Sequence, residues 1–208
     1  MIELYAITDA AGPPLPTGSP LRVLPDGELA VVYGPAADGE VSAEALWRHE
    51  ELVESLMGQR ELLPFRYGTR CEDEAAAARV VAERRAELAA GLERIRGAAE
   101  LALRVIAPRS AATADDGETG TGYVAARARA ADAARAVADT IHEPLAALAR
   151  DSRRRAGEGP DEPLRAAYLV ERDRIDEVVD AVARLQARHP DLRLLCTGPW
   201  PPYSFAQP

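Results

Sequence analysis

The 208-residue chain contains no lysine; all 25 of its basic residues are arginines. A Walker-type phosphate loop needs a lysine to reach the terminal phosphates. The glycine-rich Gly117-Glu-Thr-Gly-Thr-Gly122 is therefore read as a flexible loop and not as a nucleotide cradle. Cysteine is almost missing as well. Cys71 and Cys196 lie far apart in sequence, which argues for reduced cytosolic thiols over a disulfide framework. The three histidines, at 49, 142 and 189, and these two cysteines show no CxxC or HExxH spacing, so neither a metal nor another cofactor is expected. No Gly-x-Ser-x-Gly elbow and no DxD pair occurs. Long apolar runs are absent too: the plain stretches Leu29–Tyr33 and Ala166–Val170 are strand-sized and far short of a bilayer span. No basic leader followed by an apolar run precedes the first strand, so a cytoplasmic chain without a membrane partner is expected.

What the chain does have is acid, unevenly placed. Of the net charge of −9, most sits in the first half: residues 1–96 hold 17 acids and 10 arginines, residues 97–208 hold 17 and 15. An acidic half is a poor surface for phosphate neutralisation, so nucleic acid is excluded as a partner. A 47% apolar content over this length suits one large or two small globular domains.

Glu3–Thr8 reads as an opening strand with weak alternation. Leu21–Leu24 and Leu29–Tyr33 flank Pro25-Asp26-Gly27, a turn sequence, and so form a hairpin. Ser42 caps a helix from Ala43 to Gly58, with Leu46, His49, Val53, Leu56 and Met57 on one face. Leu62–Tyr67 is extended, and Pro64 confines it to an edge or bulge. A single helix is predicted from Asp73 to Ile95, broken by Gly97. From Glu100 the order is strand, a Pro108–Thr121 loop, a Gly122–Glu143 helix stopped by Pro144, a hairpin around Gly157–Pro163, a helix after Asp173, and a last strand over Leu192–Thr197. That β-α-β-β-α-β order is the split arrangement of ferredoxin-like domains. The fold class is thus α+β in two domains: residues 1–97, and a ferredoxin-like 98–208 that carries an extended aromatic C-terminal arm.

The arm is Thr197-Gly-Pro-Trp-Pro-Pro-Tyr-Ser-Phe205. Three prolines bar it from helix and central strand, and a stiff segment bearing Trp200, Tyr203 and Phe205 loses little entropy on docking. It is expected to strap the C-terminal core; a partner-binding arm is the competing reading.

Together with His49-Glu50 and Leu63-Pro-Phe-Arg-Tyr-Gly-Thr69, this ending resembles the GvpL/GvpF family of gas vesicle proteins, whose members show a His-Glu on a helix, an L-P-x-R-[FY]-G-T segment and a terminal T-G-P-W-P-P-Y-x-F. The three motifs fall in order from about residue 3 to Phe205. The resemblance implies two α+β domains, the second a modified ferredoxin-like fold. It also implies an accessory role in gas vesicle assembly, with the small apolar shell protein GvpA and other gas vesicle accessory proteins as partners, in the cytoplasm or on the vesicle.

His49, Glu50, Arg66, Tyr67, Trp200, Tyr203 and Phe205 are the candidate structural or interaction residues. Adjacent helical residues diverge by about 100°, so His49 and Glu50 do not face one another. His49 is read as a hydrogen-bonded core residue, and Arg66 as the partly buried partner of Glu50. The alternative is a small-molecule enzyme built on His49, Glu50 and Arg66, with Arg70 as the second basic group. It requires those side chains to converge on an open cleft. Arg150, Arg153, Arg154 and Arg155 form a local basic cluster amid acids, read first as a solvated hairpin.

Overall fold

Six consecutive buried residues, Glu3 to Thr8, run through β1 (Ile2–Asp9). The weakly alternating segment is the opening strand, as expected; it is central in its sheet and covered on both faces, which is why its polar members need internal partners. Thr8 finds one by donating to the Glu61 carbonyl at 2.9 Å. In the computed structural model the described residues are 1–36, 42–108, 132, 135–155 and 162–206. They divide into two compact units, Met1–Ala99 with Trp200–Pro208, and Glu100–Pro199. The chain therefore leaves the first unit within one strand and returns to it near the end. The aromatic segment, grouped with the second domain in the sequence reading, lies with the first unit.

The first unit is a five-stranded sheet ordered β2-β3-β1-β4, with β5 pairing β1. β2 (Arg22–Asp26) and β3 (Leu29–Pro35) form the expected hairpin. Their register pairs Asp26 with Leu29, so the turn is Gly27-Glu28, and Gly27 supplies the positive φ of 66° it needs. β4 (Leu62–Pro64) is an edge strand, where the missing N–H of Pro64 is harmless. β5 (Arg70–Cys71) pairs with Ile2 and Glu3.

Helix α1 (Ala43–Met57) starts where expected, with the Ser42 hydroxyl accepting from the Ala45 amide. Its buried face is His49, Val53 and Leu56; Leu46, expected on that face, is exposed. The long second helix is in fact two, α2 (Glu74–Glu83) and α3 (Arg85–Ile95), broken at Arg84. The break lets Ala77 and Val81 of α2 and Leu88, Leu92 and Ile95 of α3 all be buried. At Gly91 a Cβ would stand 3.1 Å from a Leu63 methyl, so glycine permits the close approach of α3 to β4.

The second unit has a sheet ordered β7-β8-β6-β9: β6 (Ala98–Ile106), β7 (Asp151–Arg155), β8 (Leu164–Glu171) and β9 (Arg193–Trp200). Helix α4 is described over residues 135–146, and α5 (Ile175–Arg188) follows a short 3₁₀ turn. Strand, helix, two strands, helix, strand is the β-α-β-β-α-β succession. Pro144 does not stop α4, which continues to residue 146 and carries the fully buried Leu145 into the core. β9 runs through Pro199 to Trp200, on an edge that tolerates proline. The Pro108–Thr121 loop beyond its first residue, the Gly117–Gly122 segment, the start of the Gly122 helix and most of the Gly157–Pro163 turn lie outside the described residues.

In this second unit Tyr168 is buried and its hydroxyl lies 2.9 Å from His142 Nδ1. Burial keeps the phenol protonated, while burial and the nearby Arg154 hold His142 below its ordinary value. A neutral imidazole and a protonated phenol are thus joined by one hydrogen bond inside the unit. The basic cluster is divided: Arg150 pairs with Glu171 at 2.6 Å and Arg154 with Asp139.

Candidate functional site

The motif residues of the first unit meet around one buried carboxylate. Glu3 and His49 are each only 1–2% exposed, and His49 Nδ1 lies 2.9 Å from Glu3 Oε1. His49 Nε2 lies 3.0 Å from the Phe65 carbonyl. A carbonyl only accepts, so Nε2 carries a hydrogen and donates it. One further proton must then lie between Nδ1 and the carboxylate, joining the two groups by a hydrogen bond. Tyr5 stacks on the imidazole at 4.7 Å and 18°, and Tyr67 meets it edge-on at 5.7 Å and 73°. Burial, reinforced by the Glu3 charge, pushes Tyr5 above its ordinary value.

The local sequence explains how the carboxylate is enclosed. After Pro64 ends β4, the Phe65 amide donates to the Tyr5 carbonyl at 2.8 Å and its own carbonyl turns to His49. Gly68, at φ +82°, turns the chain in a conformation that L side chains rarely adopt. Its amide then donates to Glu3 Oε1 at 3.3 Å. Thr69 closes the turn, its hydroxyl donating to the Arg66 carbonyl at 2.7 Å, and the Leu4 amide donates back to the Thr69 carbonyl. The Phe-Arg-Tyr-Gly-Thr run is thus a wrapper around Glu3.

This corrects the sequence reading of Arg66. Its side chain is exposed and lies in a turn, not in a strand; the buried polar pair that ties α1 to the sheet is Glu3 with His49. The Glu3 signal was present as a single acid inside an apolar strand, yet nothing in the sequence paired it with a histidine 46 residues away.

Glu50 points elsewhere. It lies beside Tyr203 of the C-terminal segment, without the alignment that would satisfy the buried Tyr203 hydroxyl. Burial raises the Glu50 pKa, against the opposing influence of Tyr203 and His49. Burial and the adjacent carboxylate push Tyr203 well up in turn. Phe205 is fully buried, Pro201 and Pro202 are buried, and Trp200 is 39% exposed. The Phe205 carbonyl accepts from Arg94 of α3 at 2.7 Å. Tyr203 packs on the cluster of Tyr5, Leu21, Val32, Val53, Leu56 and Leu62.

His49, Glu50 and Arg66 are therefore not brought together: one is buried and fully hydrogen-bonded, one is half-buried against Tyr203, one is in water. Among the described residues, no three His, Cys, Asp or Glu side chains group as metal ligands. Both cysteines are free, and burial pushes both thiols up. A groove of about 520 Å³ lies between Gly27–Leu29 and α3. Most of its charged lining is paired: Arg96 holds Asp9 through two bonds of 2.9 and 3.1 Å and also binds Glu93, and Arg85 binds Asp26. No helix among the described residues is long and apolar enough to cross a membrane.

The fold and site define an α+β protein of two sheet units in which His49, Tyr203 and Phe205 of the motifs pack internally, while Arg66 is exposed. The sequence model for gas vesicle synthesis protein GvpL/GvpF matches residues 3–207. The chain is 30% identical to gas vesicle protein L of Streptomyces sp. (strain CB03234), over 98% of this chain and 91% of that protein. It is 29% identical to gas vesicle protein F of the same strain, over 98% of each. The crystal structure of GvpF from Anabaena sp. PCC7120 has the same fold, with a TM-score of 0.83 at 17% identity, covering 100% of this chain and 98% of that one. GvpF from Microcystis aeruginosa has it too, with a TM-score of 0.81 at 17% identity and coverage of 100% and 99%. The chain belongs to the gas vesicle synthesis protein GvpL/GvpF family.

Proposed function

We propose that this protein is a non-enzymatic accessory factor of gas vesicle formation that acts by binding other gas vesicle proteins, the shell protein GvpA among them. The observation that carries the reading is the closure of the His49 site. Both imidazole nitrogens and the Glu3 carboxylate are committed to internal hydrogen bonds, and a general acid or base must reach its substrate. The motif residues thus build a rigid first unit, and a rigid unit binds a partner with little ordering cost. Binding to a soluble shell subunit would stabilise it by mass action before it polymerises.

Cells carrying the gas vesicle gene set with an affinity-tagged copy of this chain test the proposal. GvpA or another gas vesicle protein is expected in the eluate at stoichiometric level, and vesicles should fail to form when the chain is deleted. Recovery of the tagged chain alone, with vesicles forming normally in the deletion, would overturn it.

A further inference from the structure

We propose that the outer face of α1 docks a basic amphipathic segment of another protein, anchored on Trp47. The inference rests on the accessory-protein reading only in taking the chain to have a protein partner. Trp47 is 70% exposed and its neighbour Leu46 42% exposed, although large aromatics are usually sheltered. Neither is needed to hold the helix. The opposite face, His49, Val53 and Leu56, is buried, and His49 is bonded to both β1 and the Phe65 carbonyl. The face is therefore rigid and preorganised, and tryptophan on such a surface is the commonest kind of binding hot spot.

The charge around the indole selects the occupant. Helical spacing places Glu44 three residues before Trp47, Glu51 four after and Glu54 seven after. The one arginine of the helix, Arg48, is 3.2 Å from Glu44 and offsets a single carboxylate. An acidic or purely apolar partner would desolvate these groups without compensation. A segment presenting arginines and an apolar ridge meets both needs. Guanidinium stacks on an indole and pairs with carboxylates, while leucine-like side chains cover Trp47 and Leu46.

The test uses the full chain with Trp200→Phe, so that Trp47 is the only tryptophan. The probes are two amphipathic helical peptides of about 18 residues, one of leucine and arginine, one of leucine and glutamate. The arginine peptide is expected to blue-shift Trp47 emission and to lose affinity as salt rises. In calorimetry, with the indole no longer needed as reporter, Trp47→Ala should weaken binding by about tenfold or more with an unchanged melting temperature. Glu51→Arg with Glu54→Arg should abolish arginine-peptide binding and admit the glutamate peptide. Equal binding of the two peptides, no binding of either, salt-insensitive affinity or an unaffected Trp47→Ala variant would each overturn the proposal. So would sedimentation showing a parent dimer that Trp47→Ala converts to monomer, since the face would then cover a second copy. If the peptide results hold while Trp47→Ala still builds vesicles, the surface stands and the vesicle role lies elsewhere on the chain.

Discussion

Removing residues 201–208 should unfold much of the first unit while leaving the second standing. Phe205 is fully buried, and truncating such a phenylalanine to alanine costs about 3–5 kcal/mol through lost transfer energy and the cavity left behind. Deletion also removes the buried part of Tyr203 and frees Arg94 from the Phe205 carbonyl, so about 3 kcal/mol is a lower bound. Domains are stable by only about 5–15 kcal/mol in total, so this is a large fraction. Urea denaturation of the truncated chain should show a transition at clearly lower midpoint. Hydrogen exchange read by mass spectrometry locates the loss: α1 and α3 peptides should lose protection, while β8 and α5 keep theirs. Phe205→Ala alone should reproduce most of the effect. An unchanged midpoint, or protection lost only within residues 100–199, would refute the reasoning.

His49→Ala leaves Glu3 buried without its partner and should cost about 3–5 kcal/mol in chemical denaturation; a loss below 1 kcal/mol would mean that water reaches Glu3. Arg66→Ala, at an exposed turn position, should change stability by no more than about 0.5 kcal/mol, the reverse of what a buried Arg66–Glu50 pair requires. Glu50 has its pKa raised above the ordinary 4.5 by burial. Its favourable contribution is therefore present below that pH and lost as pH rises through the folded value. Glu50→Gln should raise the melting temperature at pH 7 and converge with the parent in acid; a lower melting temperature at pH 7 would show the carboxylate to be paired. His142 has its pKa depressed below 6.5 by burial and Arg154, so its contribution is present above that value and lost as pH falls. His142→Phe should flatten the acid limb of second-unit unfolding followed by hydrogen exchange, and an unaltered limb would count against neutral His142.

Sequence by itself determined the local elements. Ser42 and Asp73 cap helices because their side chains accept from amides three residues on, and a glycine after Asp26 makes the β2–β3 hairpin. Spacing alone placed His49 on an apolar face, and the ordered motifs carried the family resemblance that the relatives bear out. These are short-range facts, written in neighbouring residues. What only the tertiary structure decided are the long-range partners. The choice of Glu3 over Glu50 as the buried acid depends on β1 being the central strand, covered on both faces. The split of one predicted helix into α2 and α3 goes with the burial of Ala77 and Val81 on one piece and Leu88, Leu92 and Ile95 on the other. Leu46 is left exposed because α1 packs through His49, Val53 and Leu56, the middle of the stripe the periodicity suggested, while Trp47 lies on the far side of the helix. The aromatic segment joins the first unit, not the one it follows in sequence, because Tyr203 packs on apolar residues, and the Phe205 carbonyl meets its donor Arg94, more than a hundred positions earlier. Burial and charge pairing are set by distance in space, and that distance exists only once the chain has folded.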